Sequence, residues 1–127
     1  MSKRILVIDD DKFVRESFVF VLEDEGYSLD TADSGEKGVE KLSAQKYDLV
    51  FLDLKMPGMD GIETLGELRK IDKQVPVYII TAFHQEFLSQ LKEAERDGLN
   101  FELVSKPLNN EKITLVIKII FKEPQIL

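Results

Sequence analysis

The sequence contains no cysteine, which excludes disulfide frameworks and thiolate metal sites. A single histidine, His84, removes His-rich zinc sites as well. Basic residues are in the minority: 17 Lys and Arg stand against 24 Asp and Glu, for a formal net charge of -7. Phosphate backbones are bound by clustered Lys and Arg, so this balance argues against nucleic acid and for protein partners. No apolar run reaches the roughly 20 residues of a membrane-spanning helix, and the N-terminus lacks the apolar stretch of a signal peptide. The expectation is a cytoplasmic protein without a membrane partner.

What is present suffices for one hydrophobic core. The 127 residues fit a single domain, and 43% of them are hydrophobic. There is no repeat, low-complexity tract or internal linker. Short apolar runs alternate with amphipathic stretches. The runs are RILVID (4–9), YSLDTA (27–32), DLVFLD (48–53), VPVYIIT (75–81) and NFELVSK (100–106). Those centred on 5–8, 49–52 and 77–80 are nearly continuous in apolar residues, as strands buried on both faces are. YSLDTA is more polar and reads as an edge strand.

Helical signals fill the gaps. Val14, Phe18, Val21 and Leu22 share a face within 12–25, and Gly26 stops that helix. Asp33 and Asp60 read as N-caps with Glu three residues on, a capping-box variant. Ile62, Leu65 and Leu68 line a third helix. Phe87, Leu88, Leu91 and Ala94 line a fourth, ended by Gly98. Asn109 or Asn110 caps a fifth that runs to about residue 122, and the tail EPQIL (123–127) reads as a helix stop.

Five βα units in succession predict an α/β fold, a five-stranded parallel sheet with helices on both faces, in the flavodoxin-like (βα)5 order 2-1-3-4-5. Ligands of such sheets sit beyond the carboxyl ends of the strands, at the switch point between the first and third. The first strand ends in Asp9 and Asp10, and the third in Asp53. Two carboxylates about 4 Å apart repel by roughly 4 kcal/mol at the effective dielectric of a protein surface, so a cluster of acids calls for a positive partner. The fourth strand closes at Thr81, followed by small Ala82, and the fifth at Lys106, followed by Pro107.

The segments VIDDDKFVR, VFLDLKMPGMDGIE, IITA and SKP, in that order, resemble the receiver domain of bacterial two-component response regulators over essentially the whole chain. DLKMPGMDG is close to that family's most specific segment. The resemblance implies a phosphoacceptor switch rather than a turnover enzyme. Asp53 would take a phosphoryl group from a sensor histidine kinase or a histidine phosphotransfer protein. Asp10 and Asp53 would hold Mg²⁺, with Asp9 contributing directly or through water and the backbone carbonyl of Lys55 adding an oxygen. Lys106 would pair with the phosphoryl oxygens, Thr81 would hydrogen-bond one of them, and Pro107 would follow a cis peptide. The domain would span 1–123, with 124–127 a tail or the start of a removed linker.

Other residues read blandly. Asp11 starts the first helix, Arg15 is a solvated helix residue, and His84 lies at the surface. The chain departs from the family where Tyr or Phe often precedes the lysine by three residues. Here Leu103 stands there, and Phe101 is expected to substitute if the segment has slipped. A bulky Phe83 would shield the phosphoryl group from water. The unusually apolar fifth helix leaves Leu115, Ile119 and Phe121 partly outside its core stripe, which points to a homodimer or output-domain contact through the fourth and fifth helices. Rival readings are a receiver-like adaptor working without phosphorylation and an Mg²⁺-dependent phosphatase of the haloacid-dehalogenase type using Asp9-x-Asp11. A flavin carrier is disfavoured by the acids in the first βα turn.

Overall fold

Side-chain alternation along the strands fixes the layers. In the computed structural model, which describes residues 3–82 and 84–121, Ile5, Val7, Leu49 and Phe51 point to one face of a sheet. Leu6, Ile8, Val50 and Leu52 point to the other. The strands are β1 (Arg4–Ile8), β2 (Ser28–Ala32), β3 (Leu49–Asp53), β4 (Val77–Thr81) and β5 (Glu102–Ser105). The helices are α1 (Lys12–Asp24), α2 (Gly35–Ala44), α3 (Gly61–Ile71), α4 (Leu88–Arg96) and α5 (Asn110–Phe121), with a 3-10 turn at His84–Phe87 ahead of α4. All strand pairs are parallel, in the order β2-β1-β3-β4-β5, as the sequence predicts.

Phe18, Val21 and Leu22 of α1 and Ile113 and Ile117 of α5 cover the first face, and Phe121, expected outside the stripe, packs against it because its ring stacks on Tyr27 at 5.6 Å. Leu42 of α2, Leu65 and Leu68 of α3 and Leu91 of α4 cover the second. Each fully buried Leu, Ile or Phe contributes about 1.5–3 kcal/mol relative to exposure, so the three central strands anchor the sheet. Among the described residues, no helix is long and apolar enough to cross a membrane.

Several boundaries differ from the sequence reading, for local reasons. β4 starts at Val77 because Pro76 has no N–H for the ladder. β5 starts at Glu102 because the carbonyl of Asn100 is taken by Arg69, from Nε at 3.1 Å and Nη2 at 2.6 Å. The N-cap of α2 is Ser34 and not Asp33. The Ser34 hydroxyl accepts from the Lys37 N–H, while Asp33 pairs with the Lys37 ammonium at 3.2 Å. Asp60 does cap α3, in a full capping box with Glu63. Asn109, the first of the two candidates, accepts from the Lys112 N–H. Leu88 is the first residue of α4 and projects outward, while Phe87 in the 3-10 turn packs on the core. Residue 122, Phe83, the side chain of His84 and the tail EPQIL lie outside the described residues.

Candidate functional site

Each predicted site residue closes or follows a strand at the carboxyl edge, and backbone hydrogen bonds hold them in register. Asp9 extends β1, its N–H donating to the Ala32 carbonyl at 3.0 Å. Asp53 is the last residue of β3, paired with Ile80. Thr81 closes β4 opposite Ser105, and the Lys106 N–H donates to the Thr81 carbonyl at 3.0 Å. The Lys106–Pro107 peptide is cis. This register leaves no slip in the fifth strand: Leu103 stands three residues before Lys106 and is 46% exposed. Phe101 lies ahead of β5 and packs against the core, so it does not substitute at that position.

The side chains converge. Asp9, Asp10 and Asp53 each offer a carboxylate oxygen, all within 4.8 Å of one another. Lys106 Nζ reaches between two of them, 3.3 Å from Asp53 Oδ1 and 3.5 Å from Asp9 Oδ2. Asp9 is fully buried and Asp53 is 5% exposed, while Asp10 faces solvent. A cavity of about 400 Å³ opens over Asp10, Asp53 and Lys106, lined also by Asp11, Lys55, Thr81 and Ala82. A larger one, about 760 Å³, lies around Arg69 and Tyr78 at the opposite edge and contains none of these residues.

Electrostatics leave the site short of positive charge. Burial first, and then the neighbouring Asp9 carboxylate, push the Asp53 carboxyl up to about 7 against the pull of Lys106. Burial likewise raises Asp9, although it accepts a hydrogen bond from the Asp11 N–H at 2.9 Å. Burial pulls the Lys106 ammonium down, but Asp9 and then Asp53 outweigh it and hold Lys106 above its ordinary value. Among the described residues, Asp9 Oδ2 accepts no hydrogen bond and has only the ammonium at 3.5 Å. With the acids ionised, three carboxylates against one ammonium leave two negative charges. A hard divalent cation with oxygen ligands fits that deficit and that orphaned oxygen.

Three contacts escape sequence reasoning. Arg15 is half-buried, not solvated, and its Nη1 donates to the Asp9 carbonyl at 2.7 Å, which steadies the strand tip. Gly61 lets the first turn of α3 close on the end of β3. A Cβ there would lie 2.6 Å from both the Asp53 carbonyl oxygen and Leu54 Cα. The signal was the Asp60-Gly61 pair, read only as a cap. Lys55 Nζ pairs with Glu86 at 3.4 Å, joining the loop after β3 to the 3-10 turn, and nothing in the pattern marks it. Asp11 behaves as read: its Oδ1 accepts from the Phe13 N–H at 2.9 Å and caps α1. That role argues against Asp9-x-Asp11 as a phosphatase pair.

A parallel 2-1-3-4-5 sheet with an acid triad and a lysine at its carboxyl edge defines a CheY-like receiver. The sequence profile of the response regulator receiver domain matches residues 5–118, and the chain belongs to that family. It is 42% identical to the chemotaxis protein CheY of Treponema pallidum over 113 residues, 87% of this chain and 76% of that protein. It is 32% identical to the alkaline phosphatase synthesis transcriptional regulatory protein PhoP of Bacillus subtilis, over 99% of this chain but only 51% of that longer protein. Its fold superposes on CheY in a CheX–CheY–BeF3–Mg²⁺ complex from Borrelia burgdorferi with a TM-score of 0.80 at 30% identity, covering 94% of this chain and 89% of that one.

Proposed function

We propose that the chain is the phosphoacceptor switch of a two-component relay, with Asp53 accepting the phosphoryl group. The observation that carries this reading is the Asp53 carboxylate itself. It is buried at a strand end, 3.3 Å from an ammonium, and within 4.8 Å of two further carboxylates. An isolated structural acid would have no use for such company.

In the reaction an Asp53 oxygen attacks phosphorus, the P–N bond to the donor's phosphohistidine breaks, and the imidazole leaves with the electron pair. Such transfers need positioning and charge neutralisation more than a base. Asp9, Asp10 and Asp53 would hold Mg²⁺, joined by the Lys55 carbonyl; when bound, Mg²⁺ neutralises phosphoryl oxygens and keeps Asp53 ionised. Lys106 stabilises the charge on the transferred group. Thr81 donates its hydroxyl to a phosphoryl oxygen, and small Ala82 leaves room beside it. A related CheY held with BeF3 and Mg²⁺ supports the same assignment.

The partners follow as part of this reading. The donor is a sensor histidine kinase or a histidine phosphotransfer protein. Leu88, Leu103, Leu115 and Ile119 on α4, β5 and α5 are exposed, the last two at 58% and 63%, and support a homodimer or output-domain contact there. A strictly monomeric particle at high concentration in sedimentation contradicts the homodimer. The receiver unit spans 1–123.

The test is incubation with acetyl phosphate and Mg²⁺ followed by intact mass. One added phosphate on the wild type and none on Asp53→Asn is expected. No addition to a folded wild type, or equal addition to both, overturns the reading and favours a phosphorylation-independent adaptor.

A further inference from the structure

A second crevice at the carboxyl edge has no part in the phosphoacceptor reading. After β1 the chain turns toward the face covered by α1 and α5, and after β2 it turns toward the face covered by α2, α3 and α4. The two exits diverge, and a cavity of about 370 Å³ lies over the ends of β1 and β2. It is lined by Arg15 from α1, Thr31, Ala32 and Asp33 from the end of β2, and Lys37 and Lys41 from α2. Three cations and one carboxylate thus share a concavity in a chain whose formal net charge is -7.

The cations are incompletely matched. Lys37 is paired with Asp33 at 3.2 Å. Arg15 spends Nη1 on the Asp9 carbonyl, and among the described residues its Nε and Nη2 make no hydrogen bond. Lys41 is half-buried, and among the described residues its ammonium has neither a hydrogen bond nor an ion pair. A solvated lysine face would explain Lys37, which is largely exposed. It does not explain two further cations drawn into the same hollow without an anion. The volume is near the lower bound of small-molecule clefts.

The arrangement also selects an anion. Arg15 of α1 and Lys37 and Lys41 of α2 line the same cavity. An oxyanion with three or more oxygens can satisfy all of them, whereas a carboxylate has only two. We propose that this crevice is a phosphate-binding site. Arg15 would then bridge the bound anion and the Asp9 carbonyl, placing the ligand one residue contact from the acid cluster.

The test uses the ¹⁵N-labelled full chain in the Asp53→Asn background and metal-free buffer, so that phosphate has no reason to enter the acid site. Inorganic phosphate is titrated at constant ionic strength and the amides of Arg15 and of residues 31–37 are followed, with acetate as the comparison anion. Saturable shifts are expected for phosphate. Binding should weaken about tenfold or more in Lys41→Gln and in Arg15→Gln, each of which removes a charge-assisted contact, and acetate should bind about tenfold more weakly. Lys41 lies on a helix surface, so its variant stays interpretable if the Arg15 change disturbs folding. Shifts that never saturate, unchanged affinity in Lys41→Gln, or equal binding of acetate overturn the proposal.

Discussion

Lys106 and Asp53 stand 53 residues apart in the chain and 3.3 Å apart in space. The contact exists because β3, β4 and β5 lie side by side, and because the Lys106 N–H continues the β4–β5 ladder onto the Thr81 carbonyl. The same ammonium reaches Asp9 at 3.5 Å. One lysine therefore offsets two buried acids, and the predictions below test how that balance behaves.

Removing Lys106 should separate chemistry from metal binding. Lys106→Met leaves Asp9 and Asp53 without their cation, so the metal-free protein loses stability, by less than the 3–5 kcal/mol typical of breaking a fully buried pair because Lys106 is partly exposed. Mg²⁺ should bind the variant more tightly, since a competing positive charge is gone. Phosphorylation by acetyl phosphate should nonetheless fall by about 100-fold, the usual cost of one lost oxyanion donor. Calorimetric titration with Mg²⁺ and a mass-based rate measurement read the two effects. Weaker Mg²⁺ binding in the variant would contradict the charge balance described here.

The metal-free domain should become less stable as pH rises through the neutral range. The Asp53 carboxyl is raised from 3.8 to about 7 in the folded chain, so the folded state holds a proton there that the unfolded state has lost. Stability then falls as pH rises between those two values and levels off above the upper one. Asp9 is shifted in the same direction. Melting curves in chelator at about pH 5.5 and about pH 7.5 should show the lower Tm at the higher pH. Asp53→Asn should flatten that slope, and so should saturating Mg²⁺, which favours the ionised carboxylates. A wild-type Tm that rises over this interval in chelator would refute the account.

Two glycines in α3 should respond oppositely to alanine. At Gly61 a Cβ would meet backbone atoms of Asp53 and Leu54 at 2.6 Å, and the Leu54 carbonyl at 3.0 Å. Backbone cannot swing away as a side chain can, so Gly61→Ala should cost about 1–3 kcal/mol and displace Asp53. At Gly66 a Cβ meets nothing within 4 Å, so Gly66→Ala should stabilise the helix interior by about 0.5–1 kcal/mol. Urea denaturation of both variants decides the matter, and a neutral Gly61→Ala would show that the close approach is not real.

The sheet was legible in the sequence because strands buried on both faces leave unbroken apolar runs, and the runs ended in the residues that form the site. Asp9, Asp10, Asp53, Thr81 and Lys106 were readable for that reason: polar residues at the tips of apolar strands stand out. What stayed hidden depends on approach between distant segments. Gly61 matters because of where the Asp53 backbone passes, and Lys55 meets Glu86 from 31 positions away in the chain. Asp33 was misread as a cap because Ser34 beside it is an equally good acceptor, and only the backbone path decides which one faces the helix N–H groups. Phe101 was misplaced because length alone suggested a slip that the β4–β5 register does not contain.

Arg69 should prove a stability residue with no part in the chemistry. Its guanidinium donates to the carbonyls of Asp72, Val75 and Asn100, tying the end of α3 to the starts of β4 and β5 at the edge away from the acids. Arg69→Met leaves buried carbonyls unsatisfied and should cost about 2–4 kcal/mol. The rate of phosphorylation by acetyl phosphate should stay within about twofold of wild type, at a temperature where the variant is folded.

The most direct test locates the acyl phosphate. The wild type is treated with acetyl phosphate and Mg²⁺, reduced with borohydride, digested and sequenced by mass spectrometry, which converts a phosphorylated aspartate to homoserine. Homoserine at position 53 and at no other aspartate is the expected result. Homoserine at position 9, 10 or 11, or none in a folded and metal-loaded sample, would contradict the assignment of Asp53 as the acceptor.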